Sequence, residues 1–151
     1  MTGSADLDVA VKQAVYALVA NTARMPDSNE VARAIGVTEP EVRAAFERLH
    51  RKRLLVPEPG DPSRIRMAPP FSGVATTFVV RAKGRRYDAN CVWDALGIPA
   101  ALHAEAAVDA SDAHTGEPLG LELGREGPEP SSLIAHFAVP AARWWDDIIH
   151  T

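Results

Sequence analysis

Cysteine is nearly absent from this chain, with one residue, Cys91, among 151. A single thiol cannot form an internal disulfide, so the fold does not depend on an oxidising compartment. Long apolar runs are absent too, because Lys12, Gln13 and Asn21 interrupt the first apolar segment. That segment lacks the pattern of a signal peptide, and no stretch is suited to span a bilayer. We therefore expect a cytoplasmic protein with no membrane partner.

An excess of positive charge is also lacking. The chain has 16 Lys and Arg residues against 20 Asp and Glu residues, a net charge of -4. This balance argues against a protein whose whole surface binds nucleic acid, although it is compatible with a local basic patch. No glycine-rich phosphate loop or Ser-His-Asp order is present. His103 and His114 lack metal-ligand spacing, so we predict no zinc site and no cofactor.

The first part of the chain has the pattern of three helices followed by a hairpin. Apolar residues recur at helical spacing over residues 6–22, and a short second helix ends at Gly36. Thr38 and Glu41 have the spacing of a capping box at the start of a third helix. Two short strands around a turn follow. This order is that of a winged helix-turn-helix domain, which we place at residues 1–67.

Basic residues are concentrated late in this domain. They are Arg43, Arg48, Arg51, Lys52, Arg53, Arg64 and Arg66. One interpretation is a recognition helix and wing that contact phosphates, and the other is a solvated face on a domain used only for packing. Glu39, Glu41 and Glu47 on the same helix repel a phosphate backbone, so DNA is not the favoured partner.

The segment MAPPFSG marks the start of a second domain at residues 68–151. We predict an α+β fold here, with a small, mostly antiparallel sheet and flanking helices. The predicted strands are TTFVVRA, AEAAVDAS, LGLEL and LIAHFAV, and KGRR is a predicted turn. The predicted helices are CVWDALGIPAAL, which Gly97 and Pro99 are expected to interrupt, and PAARWWDDIIH.

Cys91 and Asp94 are three residues apart at the start of a predicted helix, so their side chains are expected on one face. A lone cysteine beside Trp93 and Leu96 is most often a small buried hydrophobe. The alternative is a coupled pair that shares a proton. In such a pair the helix N-terminus favours the thiolate, whereas an ionised Asp94 opposes it.

The second domain resembles the alkylmercury (organomercurial) lyase family in three stretches. They are PPFSGVATTFVVRAKGRRYDANCVWDALGIPAAL, TGEPLGLEL and AHFAVPAARWWDDI. That family also begins with a winged-helix-like segment. The resemblance implies that Cys91 and Asp94 match the family's C-x-x-D catalytic arrangement, which makes a catalytic role the preferred interpretation. The family's second catalytic cysteine precedes a His-Phe pair, where this chain reads EPSSLIAHF, with Ser131 or Ser132 and no thiol.

The activity implied by the resemblance is protonolysis of carbon–mercury bonds in a small-molecule substrate. Mercury prefers thiolates, and a serine hydroxyl does not replace one, so we expect cleavage to be weak or dependent on added thiol. One alternative is a metal-free lyase, isomerase or cyclase acting on a small organic molecule, for example in biosynthesis. The other is a winged-helix DNA-binding regulator with a ligand- or metal-sensing domain.

A pocket of apolar and hydroxyl side chains is expected around the thiol. Its predicted lining residues are Phe71, Trp93, Ser131, Ser132 and Phe137. Mercury, held by Cys91, is the only metal that the resemblance implies.

Overall fold

The computed structural model describes residues 3–150 and has four α-helices in that range. They are α1 (Ser4–Thr22), α2 (Ser28–Ile35), α3 (Glu39–Arg51) and α4 (Val92–Leu102), with a short 3-10 helix at Ala141–Asp146. The strands are β1 (Val56–Glu58), β2 (Asp61–Ala68), β3 (Phe71–Ser72), β4 (Phe78–Ala82), β5 (Arg85–Ala89), β6 (Ala106–Ser111), β7 (Pro118–Gly124) and β8 (Gly127–Pro128). Within this range, no helix combines the length and apolar character needed to cross a membrane.

Capping residues fix both ends of α2 and the start of α3. The Asp27 carboxylate accepts a hydrogen bond from the Glu30 N–H at 2.8 Å, and the Glu30 carboxylate accepts from the Asp27 N–H at 3.0 Å. Gly36 ends α2 with φ 71°, a left-handed conformation that glycine adopts readily. At the start of α3 the Glu41 carboxylate accepts from the Thr38 N–H at 2.8 Å, as the predicted capping box requires.

Helix α1 contributes to two apolar cores. Val11 and Val15 lie fully buried against α2 and α3. Val19, one turn further on, belongs to the core between α4 and the sheet. Each fully buried side chain of this size stabilises the fold by about 1.5–3 kcal/mol. The first helix is therefore shared between the two parts of the chain.

One antiparallel sheet runs through both parts of the chain, in the order β1-β2-β3-β5-β4-β6-β7-β8. The hairpin β1–β2 joins it through β3, which pairs with β2 on one side and with β5 on the other. The α+β prediction is confirmed. The predicted domain boundary after residue 67 falls inside β2, so the division at that point remains a prediction.

The predicted interruption of α4 is wrong, because the helix continues through Gly97 and Pro99. Pro99 lacks the N–H for one helical hydrogen bond, but its ring is buried, and this packing offsets the loss. Gly97 allows close packing: a Cβ at this position would lie 3.3 Å from the Pro70 Cβ. Gly97 therefore allows α4 to approach the turn between β2 and β3 closely.

The C-terminal elements also differ from the prediction. LIAHFAV, predicted as the last strand, forms no strand, and the final helix is reduced to the 3-10 turn Ala141–Asp146. The apolar side chains of this segment find no core among the described residues, since Leu133 is 44% and Ile134 is 89% exposed, and without such burial the alternating pattern does not make a strand. The short strands β3 and β8 were not predicted, nor was β5, whose first two residues had been assigned to the KGRR turn.

Candidate active site

Cys91 and Asp94 lie where the sheet passes into α4. Strand β5 ends at Ala89, Asn90 connects, and Cys91 is the extended N-cap residue of α4 with φ -156°. The Cys91 carbonyl accepts the first helical hydrogen bond, from the Ala95 N–H at 2.9 Å. Asp94 lies in the first turn. The predicted proximity of the pair to a helix N-terminus therefore agrees with the geometry.

The Cys91 thiol is half-buried, and burial is the main cause that raises its pKa. The negative charge of Asp94 acts in the same direction. The backbone N–H groups of Asp94 and Trp93 oppose the rise, although the side chain makes no capping hydrogen bond. Because the net pKa is raised, the sulfur carries its proton at neutral pH. The resting site is a thiol beside a carboxyl group and needs a base before sulfur can bind a metal.

The pKa of Asp94 is also raised, because the carboxyl group is partly buried. A hydrogen bond from the Asn90 side-chain amide to Asp94 Oδ2, at 2.8 Å, opposes this rise. A carboxyl group with a raised pKa takes up and returns a proton more readily near neutral pH. Burial thus favours the protonated form of both groups, a perturbation of the kind that is frequent at functional sites.

Helix α1 contributes Tyr16 to the surroundings of Asp94. The Tyr16 hydroxyl donates to the Pro69 carbonyl at 2.6 Å, and its ring packs edge-on against Phe71 at a centroid distance of 6.2 Å. Burial, followed by the charge of Asp94, raises the pKa of Tyr16 to about 12. The phenol therefore stays neutral, and its proton is engaged by the Pro69 carbonyl. The first part of the chain supplies one side of the site.

Only part of the predicted pocket lies near the pair. Phe71 is buried next to Tyr16, and its carbonyl accepts from the same Asn90 amide group at 3.3 Å. Trp93 is 61% exposed, on the solvent side of the first turn of α4.

The other predicted pocket residues lie in the C-terminal segment. Ser131 and Ser132 are exposed, and the Phe137 ring packs against Trp144 at 5.4 Å. Among residues 3–150, no hydrogen bond or ring contact joins these three side chains to Cys91 or Asp94. Their role in a pocket remains a prediction.

Two surface cavities lie elsewhere. One, of about 680 Å³, is at the C-terminal end of α4 and is lined by residues that include His103, Glu105 and Arg125. The other, of about 580 Å³, lies between the end of α3 and the segment around Trp145. Neither of these two linings includes Cys91 or Asp94.

Most of the basic residues of the first domain are engaged within the fold. Arg48 and Lys52 both pair with the buried Asp8 carboxylate at 2.8 Å. In addition, Arg43 pairs with Glu39, Arg66 with Glu58, and Arg53 lies over the Trp145 ring. Internal ion pairs reduce the positive charge available to phosphates. DNA binding stays a prediction that this arrangement does not favour.

Comparison with known proteins places this site in a family. The family model MerB, alkylmercury lyase, matches residues 71–151, which is more than half of the chain and includes Cys91 and Asp94. The chain belongs to the alkylmercury lyase family. The resemblance seen in the second domain of the sequence is thereby confirmed.

A solved member of this family has a similar fold. The crystal structure of the mercury-bound form of MerB2 superimposes with a TM-score of 0.65 at 19% sequence identity. The match covers 83% of this chain and 59% of MerB2. The present chain therefore spans about three-fifths of the length of MerB2. No curated protein matches the chain. At 19% sequence identity, this similarity shows a shared fold and nothing more.

Two residues of the site were missed in the sequence. Asn90 precedes Cys91 directly and lies four residues before Asp94, a spacing that brings side chains together across one turn. That spacing was a usable signal. Tyr16 carries no such signal, because only the tertiary packing of α1 brings it to Phe71 and Asp94.

Proposed function

We propose that this chain is an alkylmercury-lyase-like enzyme that protonates carbon–mercury bonds with Cys91 and Asp94. The observation that carries the proposal is the family match across residues 71–151, which includes a thiol and a carboxyl group in one helical turn. The raised pKa values of both groups support the assignment, because they suit a proton that moves between them.

The first step is capture of the organomercurial cation. The Cys91 thiol gives its proton to the ionised Asp94, and the sulfur forms a bond to mercury as the substrate's anionic ligand leaves. Thiolates are the soft ligands that suit this metal. The products of this step are a Cys91–mercury–carbon adduct and a protonated Asp94.

The second step is protonolysis of the adduct. Asp94 donates its proton to the mercury-bound carbon, the carbon–mercury bond breaks, and the hydrocarbon leaves. Mercury(II) then needs a second soft ligand. Cys91 is the only cysteine of the chain, so this ligand is a thiolate from solution. Multiple turnover is therefore expected to be weak or to depend on external thiol.

Benzene release from phenylmercury acetate tests the proposal, measured by gas chromatography with and without a small thiol. We expect benzene to accumulate beyond one equivalent only with thiol. The Cys91→Ser and Asp94→Asn variants, assayed in the same thiol, supply the background rate. Equal rates in wild type and both variants would remove the proposed activity, and rapid thiol-free turnover would contradict the role assigned to the missing thiolate.

A metal-free reaction of the same pair on a small organic molecule is the second candidate. The single cysteine favours it, because mercury bound here obtains one thiolate from the protein where the family's known arrangement offers two. Native mass spectrometry of the freshly purified chain tests this candidate. A bound organic molecule that is absent from Cys91→Ser would support it, and a spectrum of the unliganded chain alone in both proteins would count against it.

A further inference from the structure

We propose that Asn90 is a positioning residue that holds the Asp94 carboxyl group in the orientation needed for proton exchange with the Cys91 thiol. This inference rests on the proposed function and extends it to a residue outside the C-x-x-D pair. It rests on the two hydrogen bonds that the Asn90 side-chain amide donates and on the rigid elements that hold the two acceptors.

The Asn90 amide nitrogen donates to two acceptors at once. It lies 2.8 Å from Asp94 Oδ2 and 3.3 Å from the Phe71 carbonyl oxygen. The opposite orientation of the amide would place its oxygen against both of these oxygens, where no hydrogen bond can form. Two acceptors on one side therefore fix which end of the amide faces the carboxylate.

Both ends of this connection are anchored. Phe71 lies in β3, paired with Ala89 of β5, and its ring is held between Tyr16 and Tyr87 at centroid distances of 6.2 and 5.7 Å. Asp94 lies in the first turn of α4. Asn90 thus links the sheet to the helix across the short connection that contains Cys91. A site built on such rigid elements keeps its geometry during the reaction.

The oxygen end of the Asn90 amide has an energetic cost that packing alone does not explain. Asn90 Oδ1 is buried, and in the part of the chain that the structure describes it has no hydrogen-bond partner. A buried acceptor in this state destabilises the fold, because it has lost its hydrogen bonds to water. An apolar residue would avoid this cost but would lose the bond to Asp94. The presence of asparagine is therefore consistent with a requirement for the donor.

The hydrogen bond from Asn90 also gives the two carboxylate oxygens of Asp94 different roles. Oδ2 receives the Asn90 donor. This leaves Oδ1 to take the thiol proton and to deliver it to carbon. Without Asn90 the carboxyl group can rotate, and the proton is less often placed toward the adduct. A displacement of about 1 Å in such a group lowers a rate by up to about 100-fold.

Two variants and one control test the role of Asn90. Asn90→Ala removes the donor, and Asn90→Asp keeps the shape but replaces the donor with an oxygen. Thr76→Val is the matched control, since the Thr76 hydroxyl donates to the Ala89 carbonyl at 2.6 Å beside Asn90 and does not contact Asp94. Thermal unfolding confirms that each variant is folded.

The first readout does not depend on mercury. Carbon-13 NMR of labelled aspartate carboxyl groups gives the pKa of Asp94, identified by the signal that Asp94→Asn lacks. We expect this pKa to rise in Asn90→Ala, which loses the stabilising donor, and in Asn90→Asp, which adds a like charge. It should stay at the wild-type value in Thr76→Val. The second readout is the single-turnover release of benzene from phenylmercury, expected to fall between about 10-fold and 100-fold in both Asn90 variants. Binding of phenylmercury should remain, because Cys91 is intact.

Each outcome decides the inference. An unchanged Asp94 pKa in folded Asn90→Ala overturns it, as does an equal rise in Thr76→Val. A raised pKa with unchanged benzene release also overturns the positioning role. If Asn90→Ala does not fold, Asn90→Asp, which leaves no cavity, is judged by the same criteria. If wild type releases no benzene, the proposed function fails, while the Asp94 pKa still tests the contact itself.

Discussion

The ion pairs of Asp8 give the most direct test of how the basic residues of the first domain are used. Asp8 is 3% exposed, and its two carboxylate oxygens bind Arg48 and Lys52 at 2.8 Å. Removing one partner from a buried pair costs about 3–5 kcal/mol when the remaining charge stays buried, whereas exposed pairs are worth about 0–1 kcal/mol. The Arg48 and Lys52 side chains are 26% and 54% exposed, so water compensates part of the loss. We expect Asp8→Asn to lower the free energy of unfolding by about 2 kcal/mol, between these two limits.

Urea unfolding and thermal melting at neutral pH measure this loss, which corresponds to a melting temperature lower by about 4–8 °C for a chain of this size. Burial raises the pKa of Asp8, but the hydrogen bonds and charges of Lys52 and Arg48 outweigh burial and hold it below the ordinary value. The stabilisation is therefore present above the unfolded pKa of about 3.9 and is lost as the pH falls through the lower folded pKa.

The control for Asp8 is Arg43→Met, which breaks the exposed pair with Glu39 and should cost less than about 1 kcal/mol. The difference between wild type and Asp8→Asn should disappear in acid. A loss below about 0.5 kcal/mol at neutral pH, no larger than that of a surface pair, would refute the view that Arg48 and Lys52 serve the fold.

Two further predictions concern the site. The rate at which iodoacetamide alkylates Cys91, followed by mass spectrometry as a single adduct, should rise with pH through a raised thiol pKa. In Asp94→Asn this rate curve should move to lower pH, because a negative charge next to the thiol is removed. A curve that stays in place would contradict the coupling of the pair. Tyr16→Phe should lower the free energy of unfolding by about 1 kcal/mol, since the Pro69 carbonyl loses its donor at 2.6 Å. The Asp94 pKa from carbon-13 NMR should stay unchanged, because the phenol is already neutral. A change in that pKa would assign Tyr16 a direct role.

Local signals in the sequence were sufficient for the N-terminal helices and for the position of the pair. The capping box of Thr38 and Glu41, the glycine at position 36 and the spacing of Cys91 and Asp94 all depend on neighbours within one turn. The strand alternation of β4, β6 and β7 is local in the same sense. These elements could be predicted because short-range geometry decides them.

The errors arise where distant contacts decide the outcome. Pro99 remains in the helix and is buried, which the sequence around it does not reveal. The apolar run around Ile134 has the pattern of a strand, but its side chains are exposed and are not buried against the sheet. Tyr16 reaches Asp94 through packing between elements far apart in the chain. Tertiary context outweighs local preference in each case.

The passage of one sheet through β2 and β3 has a consequence for how the chain can be divided. A fragment consisting of residues 71–151 would keep Cys91 and Asp94, but the edge of β3 that pairs with β2 would be left bare. Tyr87, whose hydroxyl donates to the Ala20 carbonyl at 2.8 Å, would lose its acceptor in the same cut. Exposed strand edges recruit other chains and aggregate. This fragment is therefore expected to be insoluble when it is produced alone, so a shortened version of the chain should retain the N-terminal helices.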